Sequence, residues 1–114
     1  MNLKNINKII ELFSHKREWE QFHSPKNLVM ALTGEVGELN EIFQWLTEEQ
    51  SKNLSAKTKV HAEEEIADIA IYLLTLCTKL DINIEEAILK KIKKNKLKYP
   101  VDKAKGKAIK YDSL

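Results

Sequence analysis

Only three glycines and two prolines occur in the 114 residues, so the chain has few places where the backbone can turn easily. No stretch alternates polar and apolar residues in the manner of a half-buried strand. These absences give no indication of strands. They predict an all-α protein, and its length suits a single domain over residues 1–114.

Cysteine is almost absent too, because Cys77 stands alone in an apolar run. A single cysteine excludes a disulfide framework and indicates a reducing compartment. No apolar stretch reaches the roughly 18 residues that a membrane-spanning helix needs. The N-terminus also lacks the basic and then apolar order of a signal peptide. We therefore expect a soluble cytoplasmic protein without a membrane partner.

Apolar spacing and capping residues predict the first two helices. Ile6, Ile9, Ile10 and Phe13 recur at helical intervals and predict a helix from about residue 2 to residue 20. A serine followed by proline at 24–25 predicts the start of a second helix, which we expect to continue to about residue 49.

The second half of the chain carries clearer boundaries. The polar stretch 49–55 predicts a loop, and Ser55 is a candidate N-cap for a third helix that reaches about Leu80. Asn83, with a glutamate three residues later, predicts the start of a fourth helix. That helix should end by Tyr99, because a following proline cannot continue it. We expect the basic tail, about residues 100–114, to be extended.

Two acidic pairs, Glu35 with Glu38 and Glu65 with Asp68, are embedded in otherwise apolar helical stretches. Residues three apart are neighbours on a helix surface, so each pair presents two carboxyl groups together. A single acidic pair is usually solvated surface. Two pairs among so many apolar neighbours favour a site that holds a cation.

The third helix strengthens this interpretation. Between residues 66 and 77 the only polar positions are Asp68, Tyr72 and Thr75, which form one narrow stripe with Glu65. A helix that is apolar nearly all round belongs in an interior. Carboxylates are costly to bury unless they are paired or bind metal. Four carboxylates without clustered cysteine or histidine favour Mg²⁺, with Mn²⁺ as an alternative, and Mg²⁺ commonly shares its ligands with substrate phosphates.

The basic residues are concentrated near the C-terminus, with ten lysines and one acid between Lys90 and Lys110. This segment suits a phosphate-bearing substrate beside a cation. It would also suit a non-catalytic helical module that binds nucleic acid or a protein partner. Few aromatic residues interleave with the lysines, and such a module would leave the acids without a role, so we do not expect nucleic-acid binding.

Five segments, read together, resemble the MazG-like all-α nucleotide pyrophosphohydrolases, and the dCTP pyrophosphatase branch most closely. The segments are REWEQFHSPKNL at 17–28, LTGEVGEL at 32–39, IFQW at 42–45, EEIADIAIYLL at 64–74 and KIKKNKLKYP at 91–100. The resemblance implies a four-helix bundle completed by oligomerisation, as a homotetramer or a dimer. It also implies hydrolysis of (deoxy)nucleoside triphosphates, dCTP-like ones favoured, to the monophosphate and pyrophosphate.

The resemblance assigns roles to particular residues. Glu35, Glu38, Glu65 and Asp68 would bind Mg²⁺, with Glu38 or Glu35 orienting the attacking water. The expected substrate-binding residues are Trp19, His23, Asn27, Trp45, Tyr72, Lys91, Asn95 and Lys98.

Several of these residues also have structural interpretations. The tryptophans could belong to the core, while His23 and Asn27 could close the turn before the second helix. Vertebrate members carry histidine in the first helix where this chain has Ile10. That departure leaves the base preference open.

Overall fold

The computed structural model describes residues 2–114, and these residues contain helices and turns but no strand. The expected all-α class is confirmed. Helix α1 spans Leu3–Lys16, α2 Pro25–Phe43, α3 Glu48–Lys52, α4 Ala56–Lys79, α5 Ile84–Lys98 and α6 Val101–Ala104, with 3₁₀ turns at Trp19–Phe22 and Tyr111–Ser113. Within the described residues, none of the helices is long and apolar enough to cross a membrane.

The predicted N-caps of the main helices are confirmed. The side chain of Ser24 accepts a hydrogen bond from the Asn27 amide at the start of α2, where Pro25 occupies the first turn. Ser55 does the same at the start of α4. Asn83 begins α5 with the same interaction. Each cap satisfies one of the backbone donors that a helix N-terminus leaves free.

The prediction that the first helix continues to residue 20 is wrong. Helix α1 ends at Lys16, and Glu18 adopts a left-handed conformation with φ of 53°. This turn brings the Trp19 ring edge-on to Phe13, with 5.6 Å between the ring centroids. Arg17 caps the same turn, since its guanidinium lies 3.7 Å from the Phe13 ring centroid and donates a hydrogen bond to the Phe13 carbonyl.

The predicted end of the second helix is also wrong. Helix α2 ends at Phe43, and the short helix α3 occupies most of the stretch predicted as a loop. Thr47 and Gln50 explain the break, because each side chain hydrogen-bonds the other residue's backbone amide, at 3.1 and 2.9 Å. This capping box begins a new helix and leaves Trp45 in the connection, outside the regular phase of α2.

The chain divides into two compact units, of which the first ends at Asp81 and the second spans Ile82–Leu114. In the first unit α2 packs along α4, and α1 also contacts α4. Leu28, Ala62 and Cys77 are buried, with only 1% of the Leu28 surface exposed.

The second unit consists of α5 and the C-terminal segment. The segment that we expected to be extended contains the single helical turn α6 and a 3₁₀ turn. Tyr111 in the latter lies edge-on to Tyr99, with 6.1 Å between the ring centroids. The end of the chain is thereby held against the end of α5.

Leu28→Ala should lower the free energy of unfolding by about 2–5 kcal/mol, because it removes a buried side chain and leaves a cavity. Urea denaturation followed by circular dichroism measures this change. Leu97→Ala removes the same atoms from an exposed position and is the matched control. Equal losses in the two variants would contradict the placement of Leu28 at the centre of the first unit.

Candidate active site

Three carboxyl groups meet where α2 faces α4. Glu35 and Glu38 lie one turn apart on α2, and Glu65 lies on α4. One oxygen from each of the three side chains lies within 4.8 Å of the others. Asp68, one turn after Glu65, is near enough for its charge to raise the pKa of Glu35. The structure therefore brings Glu35, Glu38 and Glu65 together, and Asp68 lies beside this group without belonging to it.

The crowding changes how these groups hold protons. The pKa of Glu35 is raised to about 7, chiefly by burial, then by hydrogen bonding with Glu65 and by the charges of Glu38 and Asp68. The pKa of Glu65 is also raised, chiefly because its carboxyl can share a proton with that of Glu38, and then by burial. Like charges in one site favour the protonated carboxyl groups. A bound cation would take the place of the shared protons.

Two oxygen atoms of this cluster indicate whether it suits a metal ion. Glu35 Oε2 and Glu65 Oε2 are buried and lack a hydrogen-bond partner. Buried polar atoms are normally satisfied, so such atoms call for a ligand that donates or carries positive charge. A hard cation with oxygen ligands meets this need, and the donor set fits Mg²⁺ or Mn²⁺.

His61 is a neighbour of the cluster that we did not anticipate. It lies one turn before Glu65 on α4, and its Nε2 is 3.6 Å from Glu65 Oε1. That distance exceeds a hydrogen bond. The sequence did carry a signal for this contact, because His61 and Glu65 are four residues apart on one helix.

Four of the predicted substrate-binding residues line one cavity beside the start of α2. The cavity has a volume of about 340 Å³ and is lined by Trp19, His23, Asn27 and Tyr72, together with Phe22, Leu28 and Ala31. We call it the aromatic cavity. The last three residues were missed, because they are ordinary apolar residues whose role depends on the turn at 19–22.

The structure separates the alternatives for Asn27 and His23. The Asn27 amide nitrogen donates a hydrogen bond to the Phe22 carbonyl at 3.2 Å, so this residue closes the turn before α2. His23 does not act as a side-chain cap through Nδ1, because that atom is buried and has no partner. His23 is thus a free polar group at the cavity wall.

Trp45 does not join the aromatic cavity. It lies beyond the end of α2 with 83% of its surface exposed, so it is not a core tryptophan within this chain. Tyr72 is half-buried, while Trp19 is 44% exposed.

Lys91, Asn95 and Lys98 belong to the second unit, where their spacing places them on one face of α5. Asn95 is half-buried, and the two lysines are exposed. Lys98 Nζ lies 4.6 Å from the Tyr111 ring centroid, which is a cation–π contact. Their expected role in phosphate binding stays a prediction.

A second cavity, of about 420 Å³, lies between α1 and the end of α4. We call it the α1 cavity. Asn7 and Ile10 of α1, Glu20 and His23 of the turn before α2, and Thr75 of α4 line it, together with other residues of α1 and α4. It was not predicted, since the sequence does not indicate how α1 crosses α4.

The sequence pattern that describes the MazG-like family matches residues 30–114. The chain belongs to the MazG-like family. The resemblance inferred from the sequence motifs is thereby confirmed.

Relatives of this MazG-like protein include dCTP pyrophosphatase 1 of Bos taurus, which is 40% identical over 98% of this chain and 68% of that protein. The human protein of the same name is 38% identical over 98% of this chain and 67% of its own length. The crystal structure of a pyrophosphatase from Archaeoglobus fulgidus is 42% identical, with a TM-score of 0.81 over 85% of this chain and 91% of that one.

The raised pKa of Glu35 predicts how pH acts on the metal-free protein. Between its usual value of 4.5 and about 7, Glu35 holds its proton more tightly in the folded state than in the unfolded state. The stability from this group is therefore present at low pH and is lost as pH rises through about 7. With a chelator, Glu35→Gln should melt above the wild type at about pH 8, with the difference vanishing near pH 4.5.

Magnesium should reverse that order. Millimolar Mg²⁺ should raise the melting temperature of the wild type at pH 8 and leave that of Glu35→Gln almost unchanged, because a ligand stabilises only the state that binds it. Glu63→Gln, an exposed change on α4, is the control and should behave as the wild type does. An equal response to Mg²⁺ in wild type and Glu35→Gln would contradict the metal site.

Proposed function

We propose that this protein hydrolyses (deoxy)nucleoside triphosphates, with dCTP-like substrates favoured, to the monophosphate and pyrophosphate. The observation that carries the proposal is a carboxylate cluster with two unpartnered buried oxygens near an aromatic cavity. Tyr72 lies one turn after Asp68 on α4, so it connects the carboxylate cluster with the aromatic cavity. The relatives named dCTP pyrophosphatase support the choice of reaction and substrate class. The role would be to cleanse or balance the cytoplasmic nucleotide pool.

The proposed metal ligands are Glu35, Glu38, Glu65 and Asp68, with Mg²⁺ as cofactor and Mn²⁺ as a substitute. The chemistry that Mg²⁺ supplies when bound is neutralisation of the charge on the phosphate oxygens. Glu35 and Glu65 suit this role because each has a buried oxygen without a partner.

Glu38 is the proposed general base. Its side chain is exposed, so it can reach a solvent molecule while its neighbours face the interior. It would orient the attacking water and accept its proton as the bond between the α and β phosphates breaks. Glu35, one turn earlier on α2, would hold the Glu38 carboxyl in the cluster.

The aromatic cavity is the proposed base site. Trp19 and Tyr72 supply aromatic surfaces, and stacking on such surfaces stabilises a bound base by about 1–3 kcal/mol. His23 adds a polar group at the wall, and Asn27 holds the turn that carries Trp19. The proposed phosphate contacts are Lys91, Asn95 and Lys98 on one face of α5.

We further propose that the protein is a homo-oligomer, a tetramer with a dimer as the alternative. Helix α4 carries apolar side chains that the single chain leaves open to solvent, including Ile66 at 54% and Ile71 at 43% exposure. Trp45 is exposed as well. Exposed apolar surface of this kind marks interfaces, and a second copy would cover it.

Light scattering should therefore give a mass of two or four chains. Ile71→Arg should shift that mass towards the monomer, because a charge would be buried at the contact. Lys59→Glu changes the charge at an exposed position of the same helix and should leave the mass unchanged. A monomeric wild type would remove the oligomer from the proposal.

Incubation with a panel of nucleoside triphosphates and Mg²⁺ tests the reaction, with the products separated by ion chromatography. We expect monophosphate and pyrophosphate from dCTP. Glu38→Gln and Asp68→Asn should lower kcat by about 100-fold or more with folding intact, because general-base and metal contributions are of this size. Glu63→Gln is the matched control.

Release of orthophosphate in place of pyrophosphate would contradict the proposed bond cleavage. Wild-type activity in Glu38→Gln or Asp68→Asn would remove that residue from the reaction. The alternative function, a basic module that binds nucleic acid, gives no role to the carboxylate cluster. It would require salt-dependent binding that survives both substitutions.

A further inference from the structure

Buried side-chain nitrogen and oxygen atoms without a partner are confined to two places in residues 2–114. Two are the carboxylate oxygens of Glu35 and Glu65, and the other two are Asn7 Oδ1 and His23 Nδ1. Asn7 and His23 both line the α1 cavity. Leaving a buried acceptor unpaired destabilises a protein, so each such atom needs a reason.

The polar face of α4 connects the carboxylate cluster with the α1 cavity. Glu65, Asp68, Tyr72 and Thr75 are spaced by three and four residues and therefore share one face of the helix. At a rise of about 1.5 Å per residue, Thr75 lies about 10 Å further along the helix than Asp68. Tyr72 lines the aromatic cavity, and Thr75 lines the α1 cavity. His23 lines both cavities, so they adjoin.

If the phosphates of a nucleotide lay at the acids and its ring against Trp19 and Tyr72, the far edge of its base would lie towards the α1 cavity, because the two cavities adjoin at His23. From α1, Asn7 and Ile10 line this cavity one turn apart. Ile10 has no hydrogen-bonding side chain. The side-chain oxygen of Asn7 is buried without a partner, so it needs an N–H donor.

We propose that Asn7 determines the base specificity, by accepting a hydrogen bond from the exocyclic amino group of cytosine. The inference rests on the proposed function and names the residue that selects its substrate. Uracil and thymine carry a carbonyl oxygen where cytosine carries the amino group. Two acceptors would then face each other in a buried site, which disfavours those bases. His23 provides a second polar group beside the same edge.

The test compares dCTP with dUTP, because the two differ only at the edge that Asn7 would contact. The wild type should prefer dCTP in kcat/KM by about tenfold or more, the effect expected when a buried hydrogen-bonding group selects its partner. Asn7→Leu should lower kcat/KM for dCTP by about tenfold and change that for dUTP by less than about twofold. The preference would then almost disappear.

Asn7→Asp tests the accepting oxygen without the donating NH₂ group of the amide. An asparagine could turn over and donate to uracil, whereas an ionised aspartate only accepts hydrogen bonds. Asn7→Asp should therefore retain the preference for dCTP over dUTP. Asn5→Leu is the matched control, since Asn5 is an exposed asparagine of the same helix, and its preference should equal that of the wild type.

Thermal melting distinguishes a specificity residue from a structural one. Asn7→Leu replaces an unpaired buried acceptor by an apolar group of similar size, so it should not lower the melting temperature of the ligand-free protein and should raise it slightly. A marked drop would show that Asn7 serves the fold.

The outcomes separate this inference from the proposed function. Binding of dCMP and dUMP, measured by calorimetry, repeats the comparison without turnover. Tighter binding of dCMP that depends on Asn7, in a protein that hydrolyses no triphosphate, would contradict the proposed function alone. A preference for dUTP, or a dCTP preference that survives Asn7→Leu in both assays, would overturn the inference alone.

Discussion

The packing of α2 along α4 is the constraint on which the rest of the site depends, because it forces carboxyl groups together that repel one another. Three side chains contribute oxygens within 4.8 Å, and two of those residues also have a buried oxygen without a partner. The apolar packing of the first unit, in which Leu28 is buried, must outweigh this repulsion in the absence of a cation. The proposed cation would turn the same arrangement from a penalty into a source of stability.

Local signals in the sequence were enough to predict the starts of the main helices and the residues of the carboxylate cluster. Ser24, Ser55 and Asn83 act on amides only three residues away, so their caps do not depend on distant contacts. The acidic pairs could be assigned to one face because helical spacing alone determines that. Thr47 and Gln50 offered an equally local signal, and the end of α2 was missed only because the capping box was not recognised.

Features that depend on tertiary packing were not predictable in this way. The left-handed turn at Glu18 places Trp19 against Phe13, and helical periodicity cannot indicate where such a turn falls. The same limit applies to the α1 cavity, whose walls come from α1, the 3₁₀ turn and the end of α4. The sequence also predicted that α4 is interior, whereas in the single chain Ile66 and Ile71 remain exposed. That difference is the physical basis for proposing a second copy against this helix.

The two ends of the polar face of α4 impose different demands. At Glu65 and Asp68 several like charges would balance the proposed cation, so the loss of a single carboxylate changes the charge of the whole cluster. At the other end, recognition of a base needs only one well-placed acceptor or donor. Helix α1 offers more than one position for it, since residues 7 and 10 are separated by three and line the same cavity. A chain with isoleucine at position 10 can therefore retain selection for an amino-bearing base if position 7 supplies the acceptor. Under this proposal the acids of α2 and α4 would handle the phosphates and α1 would contact the amino group of the base, so position 7 could change without altering the acids.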